Sequence, residues 1–391
     1  MKIIFICTKS ITFNTFLKAQ ADYFIKKGLN VEIASSDIRN IKFRDDLKYK
    51  IDFSSKIIEL FNLLRYVKIF KQIKSLVIKN PTAIFYLHTP VAAHIFRIFN
   101  FFNKLKIIYF VHGFRFVAKT NLIKKTFFKI IEKILSLKTD IFITINNEDY
   151  NYSRSILKKK SSCYKINGIG LDLLESQLKK KLKNKKEKKK SSCYKIKEKG
   201  LNLLKKKLKK KLKNKKEIKK ILVIAAYKKE KGYLEILKLA EMMKNLKIKI
   251  ECYGEGQYYQ FDRIRVKKKL KNIFFKNFDV NLSKKIKKYD ILLHLSKREG
   301  LPVSIMQSLT EGLPVICYNI RGNNDLIKDN FNGFLVQSYK DVPNKIHYLN
   351  LDKFYFNKMR YNALKTINKH FLKKKVNSKI YNIIKKLSKY S

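Results

Sequence analysis

Apolar residues along the chain alternate between two periods. Short runs rich in β-branched and aromatic residues, KIIFIC (2–7), VEIASS (31–36), AIFYLH (83–88), KIIYFVH (106–112) and IFITIN (141–146), are separated by stretches of helical period. A strand buried on both faces is apolar throughout, so this alternation predicts βαβ units around a parallel sheet. The pattern then restarts with KKILVIAA (219–226), KIKIECYG (247–254), IFFKNF (273–278), ILLHLS (291–296) and PVICYN (314–319). Two doubly wound, Rossmann-like α/β domains in tandem are predicted, over 1–172 and 218–370. A final helix, 371–391, is expected to pack back toward the first domain.

Between the two series the chain repeats itself. Residues 158–187 are followed at once by a copy, 188–217, a period of 30 with 7 mismatches. Two copies are too few for a solenoid, so a duplicated interdomain linker over 173–217 is the economical reading. The first copy holds a turn sequence, Asn167-Gly168-Ile169-Gly170, that the second has lost. In the second copy Leu201, Leu204, Leu208 and Leu212 fall on one helical stripe amid lysines. Such a helix repels itself in water, so a solvated, partly disordered insertion is expected, a helix favoured on an anionic surface being the alternative.

A second basic amphipathic segment is NLIKKTFFKIIEKILSLK (121–138). Its apolar set is broad enough to pack against a sheet, which is the use expected of most of those residues. Contact with lipid is the alternative.

The stretch REGLPVSIMQSLTEGLPV (298–315) contains one pentapeptide twice. After the strand ending at Ser296, Pro302 suits a first helical turn because it has no N–H to leave unpaired. The first EGLPV therefore begins a helix, with Ser304 offering a hydroxyl. Its unpaired amides and the positive end of the helix dipole favour an anion there by about 1–2 kcal/mol. The second ends the helix, with Gly312 as its C-terminal stop and Pro314-Val315 opening the next strand.

At 391 residues, 45% of them hydrophobic, the chain suits two globular domains. No apolar run reaches the roughly 18 residues that span a bilayer, and the opening does not read as a signal peptide, so a cytoplasmic location is expected. The five cysteines include no C-x-x-C pair, and no metal-ligand spacing is present. The formal net charge of +60 calls for an anionic partner, nucleic acid or membrane, although a Lys-, Ile- and Asn-rich, Trp-free composition also fits an AT-rich genome.

The residues REGLPVSIMQSLTEGLPVICYNIRGNNDLI closely resemble the signature of glycosyltransferase family 4, retaining enzymes of the GT-B fold, especially those of capsular and exopolysaccharide synthesis. FYLHTPVAAHIFRI, YFVHGFRF, DIFITINNEDY, NGIGLD, KKEKG, YDILLHLS and NGFLV resemble it in the same order. The resemblance implies two lobes facing a central cleft. It places Glu299 at the first acid of the family's E-x7-E motif, on hydroxyls of the donor sugar, with Gly300 and Leu301 giving backbone N–H groups to the diphosphate. The second acid falls on Gln307, a departure that exchanges a charged for a neutral hydrogen bond at about 1 kcal/mol. Lys231 matches the lysine of the phosphate-binding K-G pair, but its upstream arginine is replaced by Ala226, leaving Lys228 or Lys229 to supply charge. His112 matches the histidine beside the donor sugar. Asp290 matches a strand-start aspartate and reads as structural.

The resemblance also implies a UDP-sugar as the simplest donor and a lipid-linked glycan as acceptor, engaged around Thr8, Asn14 and His88. The protein would then work peripherally at the inner face of the membrane. No cofactor or metal is implied, and the sequence holds no D-x-D pair. Three alternatives stand beside this reading. Gln307 and Ala226 fit a catalytically impaired relative, the fold also serves sugar-nucleotide epimerases, and charge alone would fit a nucleic-acid binder. The last lacks a reading helix or stacking platform, so nucleic acid is not expected as a partner.

Overall fold

The structure, a computed structural model, describes residues 1–54, 63–116, 121–173 and 217–389. The chain divides into two compact units, one of residues 1–170 with 373–391, the other of residues 171–372.

The first unit is built on a parallel sheet of seven strands in the order β3-β2-β1-β4-β5-β6-β7. These are β1 (Lys2–Ile6), β2 (Asn30–Ser35), β3 (Lys48–Lys50), β4 (Ile84–Leu87), β5 (Lys106–Val111), β6 (Ile141–Thr144) and β7 (Ser162–Lys165). In the centre, Phe5 of β1 lies between Ile33 and Tyr86 in register. The apolar runs form the inner strands because helices cover both faces; every residue of β4 and β6 is buried. The two edge strands, KYK and SCYK, are half-exposed and carry no apolar run, so the periodicity did not predict them.

Helices α1 (Lys18–Ile25), α2 (Leu63–Lys79), α3 (Pro90–Phe99), α4 (Leu122–Ser136) and α5 (Asn147–Ser155) connect these strands. A short π-helical stretch, Phe13–Leu17, leads into α1. Between α3 and α4 lies a buried charge cluster. Arg97 Nη1 and His94 Nε2 approach the Glu132 carboxylate at 2.9 and 2.8 Å, and the Arg97 guanidinium stacks 4.3 Å over the Tyr109 ring.

The expectation that α4 packs its apolar residues into the core is corrected here. The residues it buries are Glu132, Leu135 and Ser136, whereas Leu122, Ile123, Phe127, Ile130 and Ile134 are exposed. Glu132 turns inward because its partners Arg97 and His94 lie there, and that fixes which side of α4 meets water. An amphipathic period alone does not say which face is covered.

The second unit repeats the plan with six parallel strands in the order β10-β9-β8-β11-β12-β13. They are β8 (Lys220–Ile224), β9 (Lys249–Gly254), β10 (Ile273–Asn277), β11 (Ile291–His294), β12 (Val315–Tyr318) and β13 (Gly333–Val336). Its main helices are α6 (Tyr233–Met242), α7 (Tyr259–Lys267), α8 (Val303–Thr310), α9 (Val342–Leu351) and α10 (Lys353–Thr366). Strand β11 ends at His294, two residues before the predicted Ser296. Asp290 is structural: its Oδ2 accepts from the N–H groups of Lys219 and Lys220, both at 2.9 Å, tying the starts of β8 and β11 together.

The chain passes between units at two neighbouring points. Leu171 pairs with Leu372 within the second unit, its N–H donating to Phe371 O at 2.7 Å. The last helix, α11 (Lys373–Lys389), belongs to the first unit, where Asn377 Nδ2 donates to Ala19 O and Lys379 Nζ to Lys165 O. In the first linker copy Gly168 and Gly170 both take positive φ. The lysine-rich stripe from Leu201 to Leu212 lies outside the described residues. Among the described residues no helix is long and apolar enough to cross a membrane.

Candidate active site

In an open parallel sheet, ligands bind where the strand order reverses, outside the carboxyl ends of the strands. In the second unit the reversal falls between β8 and β11. The loop after β8 carries Lys231 and the loop after β11 carries Glu299. Lys231 Nζ lies 2.7 Å from Glu299 Oε1, and His294 Nε2, at the end of β11, lies 3.1 Å from the same oxygen. The loops are held against each other by backbone, with Lys297 N–H donating to Glu230 O at 2.8 Å. Gly232 approaches so closely that a Cβ there would stand 2.0 Å from Leu295 O.

Burial pushes the Glu299 pKa up, but the hydrogen bond from His294 and the Lys231 ammonium outweigh it and hold it at about 2. The carboxylate is therefore ionised throughout the neutral range, ready to accept from hydroxyl groups. Behind it, the buried Arg321 donates from Nε to Glu299 O at 3.1 Å. Gly322 sits against the same loop, where a Cβ would come 2.2 Å from Gly300 O.

The repeated pentapeptide brackets α8. Pro302 is its N-cap, one position ahead of the expected first turn, and no side chain caps this end. Gly312 ends it at φ 66°, with Gly312 N–H donating to Leu309 O and Leu313 N–H to Ser308 O, the paired bonds of a left-handed helix stop. Ile305, Met306 and Leu309 face the core, while Ser304 and Gln307 are half-exposed on the other side. Leu301 packs partly against the same core. Ala226 follows β8 and brings no charge; Lys228 and Lys229 are exposed.

In the first unit the reversal falls between β1 and β4, and Thr8, His88 and His112 follow β1, β4 and β5. Thr8 N–H donates to Thr89 Oγ1 at 2.9 Å and the two hydroxyls are 2.6 Å apart, joining the strand ends. His88 is buried and stacked on Phe5, and its Nδ1 lies 3.4 Å from His112 Nε2. Burial drives the His88 pKa well down, with a further push from His112, and burial lowers that of His112 to about 4. Both rings are therefore neutral near pH 7, one donating to the other. Asn14, in the π-helical stretch, spends its amide on the backbone: Nδ2 donates to Asn40 O and Oδ1 accepts from Lys42 N–H.

Sequence reasoning overlooked two residues that build the site, His294 and Arg321. His294 looked like one more residue of a buried strand. The signal for Arg321 was a lone cation between two apolar stretches, in IRG after β12. Among the described residues no group of three or more His, Cys, Asp or Glu side chains could hold a metal ion.

Residues 2–147 match the family model described as glycosyl transferase 4-like, and residues 205–366 match that of glycosyl transferases group 1. The chain belongs to these glycosyltransferases. EpsD of Bacillus subtilis (strain 168) is 24% identical over 344 residues, 86% of this chain and 83% of that protein. The UDP-Gal:alpha-D-GlcNAc-diphosphoundecaprenol alpha-1,3-galactosyltransferase of Escherichia coli is 38% identical over 79 residues, 20% of this chain and 19% of the enzyme. Among solved structures, Anabaena HepE in complex with UDP and glucose superposes with a TM-score of 0.67 at 13% identity, covering 99% of this chain and 100% of that one. The glycosyltransferase fold here is thus GT-B, with Glu299 and Lys231 at the strand reversal of its second unit.

Proposed function

We propose that the chain is a retaining glycosyltransferase moving a hexosyl or N-acetylhexosaminyl group from a nucleotide-diphosphate sugar to a lipid-linked surface glycan. The glycan would be of capsule, lipopolysaccharide or exopolysaccharide type. The observation that carries this is the ionised Glu299 carboxylate, paired with Lys231 at the strand reversal and standing at the entry to α8. A carboxylate there can accept from sugar hydroxyls. A lysine and the N–H groups of Gly300 and Leu301, with the hydroxyl of Ser304, can meet a diphosphate. The E. coli relative that acts on a diphosphoundecaprenol acceptor and the UDP in the HepE complex support the choice of acceptor and donor.

In this reading the bond from the anomeric carbon to the diphosphate oxygen breaks as the acceptor hydroxyl oxygen bonds to that carbon from the same face. The hydroxyl proton passes to the departing phosphate oxygen. Negative charge grows on the leaving diphosphate, so preorganised amides and Lys231 act where stabilisation is worth most. No protein nucleophile, metal or cofactor enters the step. In the first unit His112 is neutral and held by His88, and the acceptor would be met near Thr8, since the Asn14 amide is taken up by backbone. A lipid-borne acceptor places the work at the inner membrane face, where the basic surface is attracted.

Incubating the protein with UDP- and GDP-sugars and membrane extract tests the proposal. One donor should be consumed with release of its nucleoside diphosphate, and the extract should gain the sugar. Consumption without acceptor would point instead to an isomerase. A second reading, a catalytically impaired relative, is favoured by Gln307 and Ala226; it predicts donor binding with no transfer.

A further inference from the structure

Helix α4 presents to solvent a stripe that a soluble helix would ordinarily cover. Ile123, Phe127, Ile130 and Ile134 are 80, 58, 53 and 50% exposed, and Leu137 just beyond the helix is 53% exposed. Spaced four, three, four and three apart, they fall on one narrow strip of the helix surface. The strip continues past the helix end. Lys138 Nζ donates to Phe101 O at 3.3 Å, and Phe102 beside it is 85% exposed.

The charges that α4 itself sets beside the strip are of one sign. Lys124 and Lys133 flank it, both exposed. The one carboxylate of α4, Glu132, points the other way, buried against Arg97 and His94. The inward turn of Glu132 thus leaves an outer face of large apolar side chains edged by lysines with no acid from α4 itself.

We infer that this face of α4, with Phe101 and Phe102, docks on an anionic lipid bilayer. Apolar side chains between lysine rows match the boundary between acyl chains and anionic headgroups, where each half of the surface is satisfied. A second copy of the chain is a poor occupant, because pairing this face with itself would set lysine rows against lysine rows in a protein of net charge +60. Nucleic acid would neutralise the lysines but leave the Ile and Phe side chains uncovered. The inference deepens the lipid-linked acceptor reading and draws its purpose from it, while the docking itself needs no transfer activity.

The chain contains no tryptophan, so Phe127→Trp supplies a single reporter at an exposed position. Full-length protein is mixed, without donor, with vesicles of phosphatidylcholine alone or with phosphatidylglycerol. Docking predicts a blue shift of emission and quenching by brominated acyl chains with the anionic vesicles, both weakened in the neutral ones. In co-sedimentation, Ile123→Ser/Phe127→Ser/Ile130→Ser should bind anionic vesicles at least about tenfold more weakly than the parent, with an unchanged melting temperature. Unshifted emission, equal sedimentation of the triple variant, or a dimer in light scattering that the triple variant abolishes would each overturn the inference. None of these readings depends on sugar transfer, so failure here leaves the transferase proposal to its own assay.

Discussion

Lys231 and Glu299, 68 residues apart, meet at 2.7 Å across the strand reversal of the second unit, and His294 shares the same carboxylate oxygen at 3.1 Å. The pair is only partly open to solvent, so each member depends on the other. Removing the lysine leaves a carboxylate with one partner; removing the carboxylate leaves an ammonium beside a histidine.

Lys231→Ala should therefore destabilise the protein by about 2 kcal/mol, between the values for surface and fully buried pairs. It should also weaken donor binding. Glu299→Gln preserves shape and should lower kcat/KM for transfer by about 10²-fold while nucleotide binding changes little. Denaturant titration and steady-state kinetics separate the two. Equal losses of nucleotide binding in both variants would count against distinct roles for the two residues.

Gln307→Glu should strengthen donor binding by about tenfold or less, since it replaces a neutral acceptor by a charged one on the half-exposed face of α8. The donor KM is the quantity to follow. A KM that rises or stays fixed would mean that this position does not meet the donor.

Acid stability should fall in two stages. His88 and His112 have folded pKa values below the ordinary 6.5, that of His112 at about 4. The unfolded chain then binds more protons in that interval. Stability is full above about pH 6.5 and is lost as pH falls toward about 4. Glu132 and Glu299 are each depressed from 4.5 to about 2, for Glu132 because the Arg97 charge and the His94 hydrogen bond overcome the opposing effect of burial. Their stabilisation holds above about pH 4.5 and is lost as pH falls toward about 2. Denaturant midpoints measured from pH 7 to 3 should show the first stage flattened in His112→Phe and the second in Glu299→Gln. A single stage unaffected by either substitution would contradict this.

Gly322→Ala should cost about 1–3 kcal/mol, because φ is 81° and the added Cβ would stand 2.2 Å from Gly300 O. That contact lies on the loop bearing Glu299, so transfer should fall further than stability. Activity that tracks only the folded fraction would argue that the loop tolerates displacement.

Most of the fold was legible because inner strands of a parallel sheet are apolar on both faces and announce themselves, as KIIFI and ILLH do. Strands β3 and β7 sit at a sheet edge, half-exposed, and their residues carry no such mark. The outward face of α4 was illegible for another reason: its orientation is set by Glu132 meeting Arg97, a contact between residues 35 apart that no local period encodes. At the site, the EGLPV echo revealed both ends of α8, since a helix start and stop each need a particular backbone. His294 and Arg321 act on Glu299 through its side chain and its carbonyl respectively, and spacing along the chain does not reveal either bond.

The central claim is that the entry to α8, with Glu299 and Lys231, holds a sugar donor's diphosphate and sugar. A crystal structure of the protein soaked with a hydrolysis-resistant UDP-sugar tests it most directly. The account predicts diphosphate oxygens within hydrogen-bond distance of the Leu301 N–H and Lys231 Nζ, and sugar hydroxyls on the Glu299 carboxylate. A donor bound elsewhere on the chain, with the Glu299 carboxylate still held by Lys231 and His294 and meeting no sugar hydroxyl, would contradict it.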